Sequence, residues 1–177
     1  MSAAPPRELI SREDIARRVD ELAAEISRDY AGAGEVLLVG VLRGAFIFLA
    51  DLSRRLTVPC AVDFISVASY AGAVQKGVRL VLDVRSSLAG RHVLLVEDIV
   101  DSGHTLDYLL RTFAARSPAS LKTCVLTRKP GRLEVDLPLD YLGFDIPDEW
   151  VVGYGLDYDD HLRTLPYIGV VAPPGAP

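Results

Sequence analysis

Val93-Leu94-Leu95-Val96 is an unbroken apolar run that stops on Glu97-Asp98, then continues through Ile99-Val100-Asp101-Ser102-Gly103-His104-Thr105 into a helix-like pattern. A run without polar alternation is buried on both faces, the habit of a strand inside a parallel sheet covered by helices. The stretch therefore calls for a strand–loop–helix junction, with acid at its front edge and small hydroxyl residues in its turn. Such a junction can take sugar hydroxyls on its carboxylates and a phosphate on its helix-start amides, where the helix dipole favours an anion. Two adjacent carboxylates suit two neighbouring ribose hydroxyls or, through water, a Mg²⁺ ion. A solvated strand end is the plainer reading of Glu97-Asp98, but the apolar run before it argues against that. Ordinary capping of the next helix is the plainer reading of residues 101–105, but it leaves Asp101 unexplained. The triphosphate-binding pattern G-x-x-x-x-G-K-[ST] is absent.

The rest of the chain alternates strand and helix. Ser11 with Asp14 reads as a cap, and Ile15, Val19, Leu22, Ala23 and Ile26 give residues 12–29 a helical period. Residues 36–42, 61–67, 78–84, 92–100 and 121–127 read as strands, with helices over 45–55 and 106–115. Residues 71–77 read as a mobile loop, and short strands are expected at 141–145, 151–154 and 167–171. The pattern predicts an α/β fold, a mainly parallel twisted sheet flanked by helices. Residues 8–171 read as one domain, with 1–7 and 172–177 as loose tails. Ligands in such folds sit beyond the carboxyl ends of the strands, where Arg43-Gly44, Glu97 to Thr105 and Arg128-Lys129 would converge.

Composition narrows the function classes. Half of the 177 residues are apolar and the formal net charge is −5, which disfavours a nucleic-acid surface. Cys60 and Cys124 form neither a disulfide framework nor a metal-binding spacing and read as core thiols. Residues 1–6 lack the pattern of a signal peptide, and no apolar run reaches membrane-spanning length, so a cytoplasmic protein is expected.

The run 93–105 resembles the phosphoribosyl-diphosphate signature of the type I phosphoribosyltransferases. Four more segments in order resemble the branch of that family that uses hypoxanthine and guanine: Val39 to Gly44, Ser69-Tyr70, Arg128-Lys129-Pro130, and Gly143 to Tyr158. The likeness covers roughly residues 9–171. It implies that fold with a small hood formed by the terminal segments, and transfer of a 5-phosphoribosyl group from 5-phosphoribosyl 1-diphosphate to N9 of a 6-oxopurine. Residue by residue it implies a diphosphate loop at Arg43 and Gly44, entered through a non-proline cis peptide. It implies a lid beginning at Ser69 and Tyr70, ribose-binding carboxylates at Glu97 and Asp98, and a 5′-phosphate loop formed by Ser102, Gly103, His104 and Thr105. Asp101 takes the part of general base at purine N7. Lys129 donates to the 6-oxo group, Trp150 stacks on the base, and the Val151 backbone bonds the base edge. Asp157 lies beside the metal and Arg163 supports departure of diphosphate. Mg²⁺ is the implied cofactor, held by Glu97, Asp98 and Asp157.

Lys129 is a donor-only cation, so it would reject the 6-amino group of adenine. The segment 71–77 departs from the Ser/Thr-richer lid of many relatives, and its contacts do not carry over. The resemblance implies a homodimer or homotetramer, with no nucleic-acid or membrane partner. Alternatives on the same fold are an RNA-binding regulator, which the acidic balance disfavours, and a purine-sensing transcription factor, for which too few residues precede the first helix. A preference for xanthine or guanine stays open, because Lys129 reads an oxo group that all three bases share.

Overall fold

The computed structural model describes residues 5–71 and 76–172; the side chains of 69–71, 76 and 77 are not described. Strand β1 (Arg7–Ile10) is followed by helix α1 (Arg12–Asp29), β2 (Val36–Leu42) and α2 (Phe46–Ser53). Next come β3 (Cys60–Ala71), β4 (Lys76–Leu82), β5 (His92–Val100) and α3 (His104–Ala114). The chain ends with β6 (Ser120–Arg128), a 3-10 turn at Pro130–Arg132, β7 (Tyr141–Asp145), β8 (Trp150–Val152) and β9 (Ile168–Val171).

Six strands form the main sheet in the order β4-β3-β2-β5-β6-β7. Every neighbouring pair is parallel except β3–β4, which is antiparallel. The strands in the middle are continuous apolar runs because both faces are covered. Leu38, Leu94 and Val96 pack towards α1 and α2, while Leu37, Val39, Val93 and Leu95 pack towards α3. Each such Leu or Val contributes about 1.5–3 kcal/mol by leaving water. Ser11 caps α1 as its spacing predicts, its Oγ accepting from the Asp14 N–H at 3.1 Å.

A second, antiparallel sheet, β1-β9-β8, forms a hood from the two ends of the described chain and the β8 segment. Arg7, assigned to the leading tail on sequence, opens β1 and lies opposite Val170. Residues 1–4 and 173–177 of the expected tails, and 72–75 of the expected loop, lie outside the described residues. At the margins of that loop Ala71 pairs with Lys76.

The strand order sets the position of the site. The connection from β2 leads to β3 on one side, and that from β5 leads to β6 on the other. The reversal falls between β2 and β5, and in open parallel sheets ligands bind at such a switch point, outside the carboxyl ends of the strands.

Candidate active site

Both edges of the switch point carry expected site residues. The peptide bond joining Leu42 to Arg43 at the end of β2 is cis. Gly44 lies so close to the Asp98 carboxylate of β5 that a Cβ at residue 44 would overlap it. A Cβ at Gly155 would in turn overlap the Gly44 carbonyl, so three segments meet where only hydrogen atoms fit.

Glu97 and Asp98 are not at a solvated strand tip. They lie inside β5, which runs on to Val100, and they are only 8% and 7% exposed. Burial, and then the Asp98 charge beside it, push the Glu97 carboxyl well above the ordinary carboxylate range. Burial also raises Asp98, against hydrogen bonds from Glu97 and the Ile99 N–H and the positive charge of Arg163. The Ile99 bond is 2.9 Å, and the Thr127 hydroxyl donates to the Asp98 carbonyl at 2.8 Å. One Glu97 oxygen, Oε2, is buried with no hydrogen-bond partner. A buried acceptor left bare is costly, and a sugar hydroxyl or a cation could satisfy it.

After β5 the chain turns through Asp101, Ser102 and Gly103 into α3. Gly103 has φ +89°, a conformation natural to glycine, and no side chain caps the helix that follows. Among the described residues, no side chain accepts from the first-turn amides of α3. They border a cavity of about 140 Å³ lined by Glu97, Val100, Asp101, Ser102, Gly103 and Thr105. His104 instead faces outward, its Nε2 lying 2.8 Å from Glu134 Oε2.

Two charged clusters flank this cradle. In the first, Asp160 joins Arg43, at 2.7 Å, to Arg163, at 3.0 Å. Arg163 also holds the Asp157 carboxylate at 2.8 Å and donates to the Gly155 carbonyl at 2.8 Å. In the second, Lys129 is buried and lies 3.4 Å from Asp148, Asp148 lies 3.5 Å from Arg132, and Arg132 pairs with Asp101. Asp148 also lines a cavity of about 390 Å³ bordered by Arg7, Glu149, Trp150 and Val170. Trp150 is half exposed, with the Tyr158 ring edge-on at 6.5 Å, whereas the neighbouring Val151 is buried.

Close contacts join Gly44 to Asp98 and to Gly155, and Arg163 pairs with Asp157 and, through Asp160, with Arg43; Asp101 connects through Arg132 and Asp148 to Lys129, while Asp148 and Trp150 line a cavity separate from the one at residues 101–105. Ser69 and Tyr70 keep their backbone pairing with Val78 and Gly77, and their side chains lie outside the description. Among the described residues no three acidic, His or Cys side chains form a metal-binding group, and Asp157 is engaged by Arg163 rather than joined to Glu97 and Asp98. The bare Oε2 of Glu97 is an oxygen donor suited to a hard cation that takes its other oxygens from a ligand, as Mg²⁺ is commonly bound. Arg132, Asp148 and Asp160 were not singled out on sequence. Their only sequence signal is charge close to Lys129, Trp150 and Asp157 in the chain.

The sequence matches the family described as "Phosphoribosyl transferase domain" over residues 8–159. It is 45% identical to the hypoxanthine phosphoribosyltransferase of Salmonella typhimurium, covering 92% of this chain and 93% of that one. It is 43% identical to the hypoxanthine-guanine phosphoribosyltransferase of Dictyostelium discoideum, covering 92% and 94%. Its fold is similar to a crystal structure of the hypoxanthine-guanine phosphoribosyltransferase of Bacillus anthracis, with a TM-score of 0.89 and 43% identity over 93% of this chain and 98% of the other.

Proposed function

The chain belongs to the phosphoribosyl transferase domain family, and from that premise we propose that it is a purine-salvage enzyme. It transfers 5-phosphoribosyl from 5-phosphoribosyl 1-diphosphate to N9 of hypoxanthine, and of guanine, releasing diphosphate and the nucleoside 5′-monophosphate. The Salmonella, Dictyostelium and Bacillus relatives are named for hypoxanthine, or for hypoxanthine and guanine. The observation that carries the reading is the β5–α3 junction, where two buried carboxylates open onto a helix start without a side-chain cap.

In this reading the sugar 5′-phosphate sits on the amides and hydroxyls of residues 102–105, and the ribose hydroxyls donate to Glu97 and Asp98. The bare Glu97 oxygen then gains the partner it lacks. Diphosphate reaching Arg43 and Arg163 exchanges with the Asp160 carboxylate that joins them. As the C1–O bond breaks, positive charge grows on the ribose and negative charge on diphosphate. Fixed cations aimed at the developing charge favour that step. The C1–N9 bond forms as the base loses a proton, and Asp101 accepts a proton at the N7 edge. Lys129 donates to O6, and the Trp150 ring offers an aromatic face worth roughly 0.5–1.5 kcal/mol beyond burial. Mg²⁺ held by Glu97 and Asp98 together with substrate oxygens, and by Asp157 once Arg163 turns from it to diphosphate, would add Lewis-acid neutralisation of the diphosphate.

No helix of the described residues is long and apolar enough to cross a membrane. Phosphorylated substrates that do not cross membranes fit a place in the cytoplasm. We further propose that the chain forms a homo-oligomer through the apolar residues exposed along β3, β4 and the start of α2.

The test is a product assay with hypoxanthine, guanine, xanthine and adenine offered separately with phosphoribosyl diphosphate and Mg²⁺. Inosine monophosphate from hypoxanthine and no product from adenine are expected. Negligible turnover on all four bases would overturn the reading.

A further inference from the structure

Arg132 and Asp148 stand between the two groups that would read one edge of the purine. Arg132 Nε donates to Oδ1 of Asp101, and Arg132 Nη1 lies 3.5 Å from Oδ2 of Asp148. The other Asp148 oxygen, Oδ1, lies 3.4 Å from Lys129 Nζ. Charges alternate along this chain of four side chains, from Asp101 to Lys129. Among the described residues no other hydrogen bond reaches the Asp101 carboxylate, so its Oδ2 is left for a ligand.

The backbone that carries Arg132 is itself fastened to the phosphate loop. Arg132 closes the 3-10 turn that begins directly after Lys129. The Glu134 N–H donates to the Ser102 carbonyl at 3.0 Å, and Leu133, Val135 and Leu137 lie around the position a Cβ of Gly103 would take. Arg132 therefore has a fixed base from which to reach both acids.

Folding stability does not account for the arrangement. The Arg132, Asp101 and Asp148 side chains are each about half exposed, and ion pairs of that kind add little to stability. Geometry accounts for it better. On a 6-oxopurine, O6 and N7 are neighbours on a single edge. Groups that read both atoms must keep a fixed spacing, and catalytic side chains work only when held within about 0.5 Å of the productive place.

We propose that Arg132, bridged by Asp148, is a positioning residue for the transfer reaction. It holds Asp101 in register for N7 while Asp148 holds Lys129 in register for O6, so that one rigid chain of charges recognises the whole edge. This rests on the function proposed above.

The experiment is steady-state kinetics on the full chain with phosphoribosyl diphosphate, hypoxanthine and Mg²⁺. The variants are Arg132→Gln, Asp148→Asn, the double variant and Arg132→Lys, each with a thermal melt. Removing the outer partner of a metal-ligating side chain typically lowers activity about 10- to 100-fold, and the same scale is expected for a proton-accepting one. Arg132→Gln is expected to lower kcat by that much, with KM for phosphoribosyl diphosphate within about twofold and the melt nearly unchanged. The double variant should fall little further than Arg132→Gln, since the two act as a unit. Arg132→Lys should recover only part, because it keeps the charge and loses the fork. Arg132→Gln with kcat within about twofold of the unsubstituted chain, or with kcat, both KM values and the melt all impaired together, would overturn the inference. An unsubstituted chain that makes no inosine monophosphate would overturn the underlying function instead.

Discussion

Glu97 is the residue on which the chemistry and the stability of this protein pull in opposite directions. In the unfolded chain its carboxyl ionises near 4.5, whereas in the fold burial and the Asp98 charge hold it well above that value. The folded chain therefore keeps a proton that the unfolded chain loses, and stability must fall as pH rises from about 4.5 towards the folded value. Glu97→Gln removes this linkage. Without ligand, the variant should melt with the unsubstituted chain near about pH 4 and above it near about pH 8, while losing transferase activity. Thermal melts at the two pH values test this; a variant that melts lower at both would show that Glu97 is held by structure and not by its proton. A ribose hydroxyl or a cation at the free oxygen would favour the ionised form, so substrate and pH act on one group.

At the scale of elements, the turn from β5 into α3 decides the site. Gly103 combines a positive φ with the Leu137 side chain 2.8 Å from where a Cβ would sit. Gly103→Ala would add about 1–2 kcal/mol of backbone strain, equivalent to a melting shift of a few degrees in a domain of this size. Calorimetry should also find phosphoribosyl-diphosphate binding weakened, because the helix-start amides are re-aimed; unchanged affinity with a lowered melt would separate the turn from the phosphate site. This junction was legible in the sequence because an apolar run ending on acid has few solutions. The strands at 36–42, 92–100 and 121–127 and the Ser11 cap were legible for similarly local reasons. Strand β1 was not, since Arg7 and Glu8 are exposed and its partner lies at the far end of the sequence. Arg132 and Asp160 were equally hidden. A cation after a strand and an acid in a turn look ordinary until the fold brings Asp101 to one and Arg43 and Arg163 to the other. Arg43 and Lys129 were legible as cations on strand-end loops, but their individual roles came from the family pattern.

For the whole molecule, the main sheet is well covered except towards the β4 edge. Val62, Val81 and Leu82 are 44–59% exposed there, on β3 and β4, and Phe46 at the start of α2 is 40% exposed. Exposed apolar residues in one region of a fold mark an interaction surface, and a second copy of the chain is the proposed occupant. Val62→Asp should shift sedimentation towards the monomer while leaving the melt of the isolated chain close to its original value; an unchanged oligomer would place the interface elsewhere. The hood carries a different consequence. Its strand β9 pairs with β1 on one side and with β8, which bears Trp150, on the other. A chain emerging from the ribosome can complete all six strands of the main sheet before β9 has been synthesised. The hood is thus completed last, and because Ile10, Val151 and Ile168 share one buried cluster with Leu38 and Leu94, its docking also finishes the core on the α1–α2 face of the main sheet.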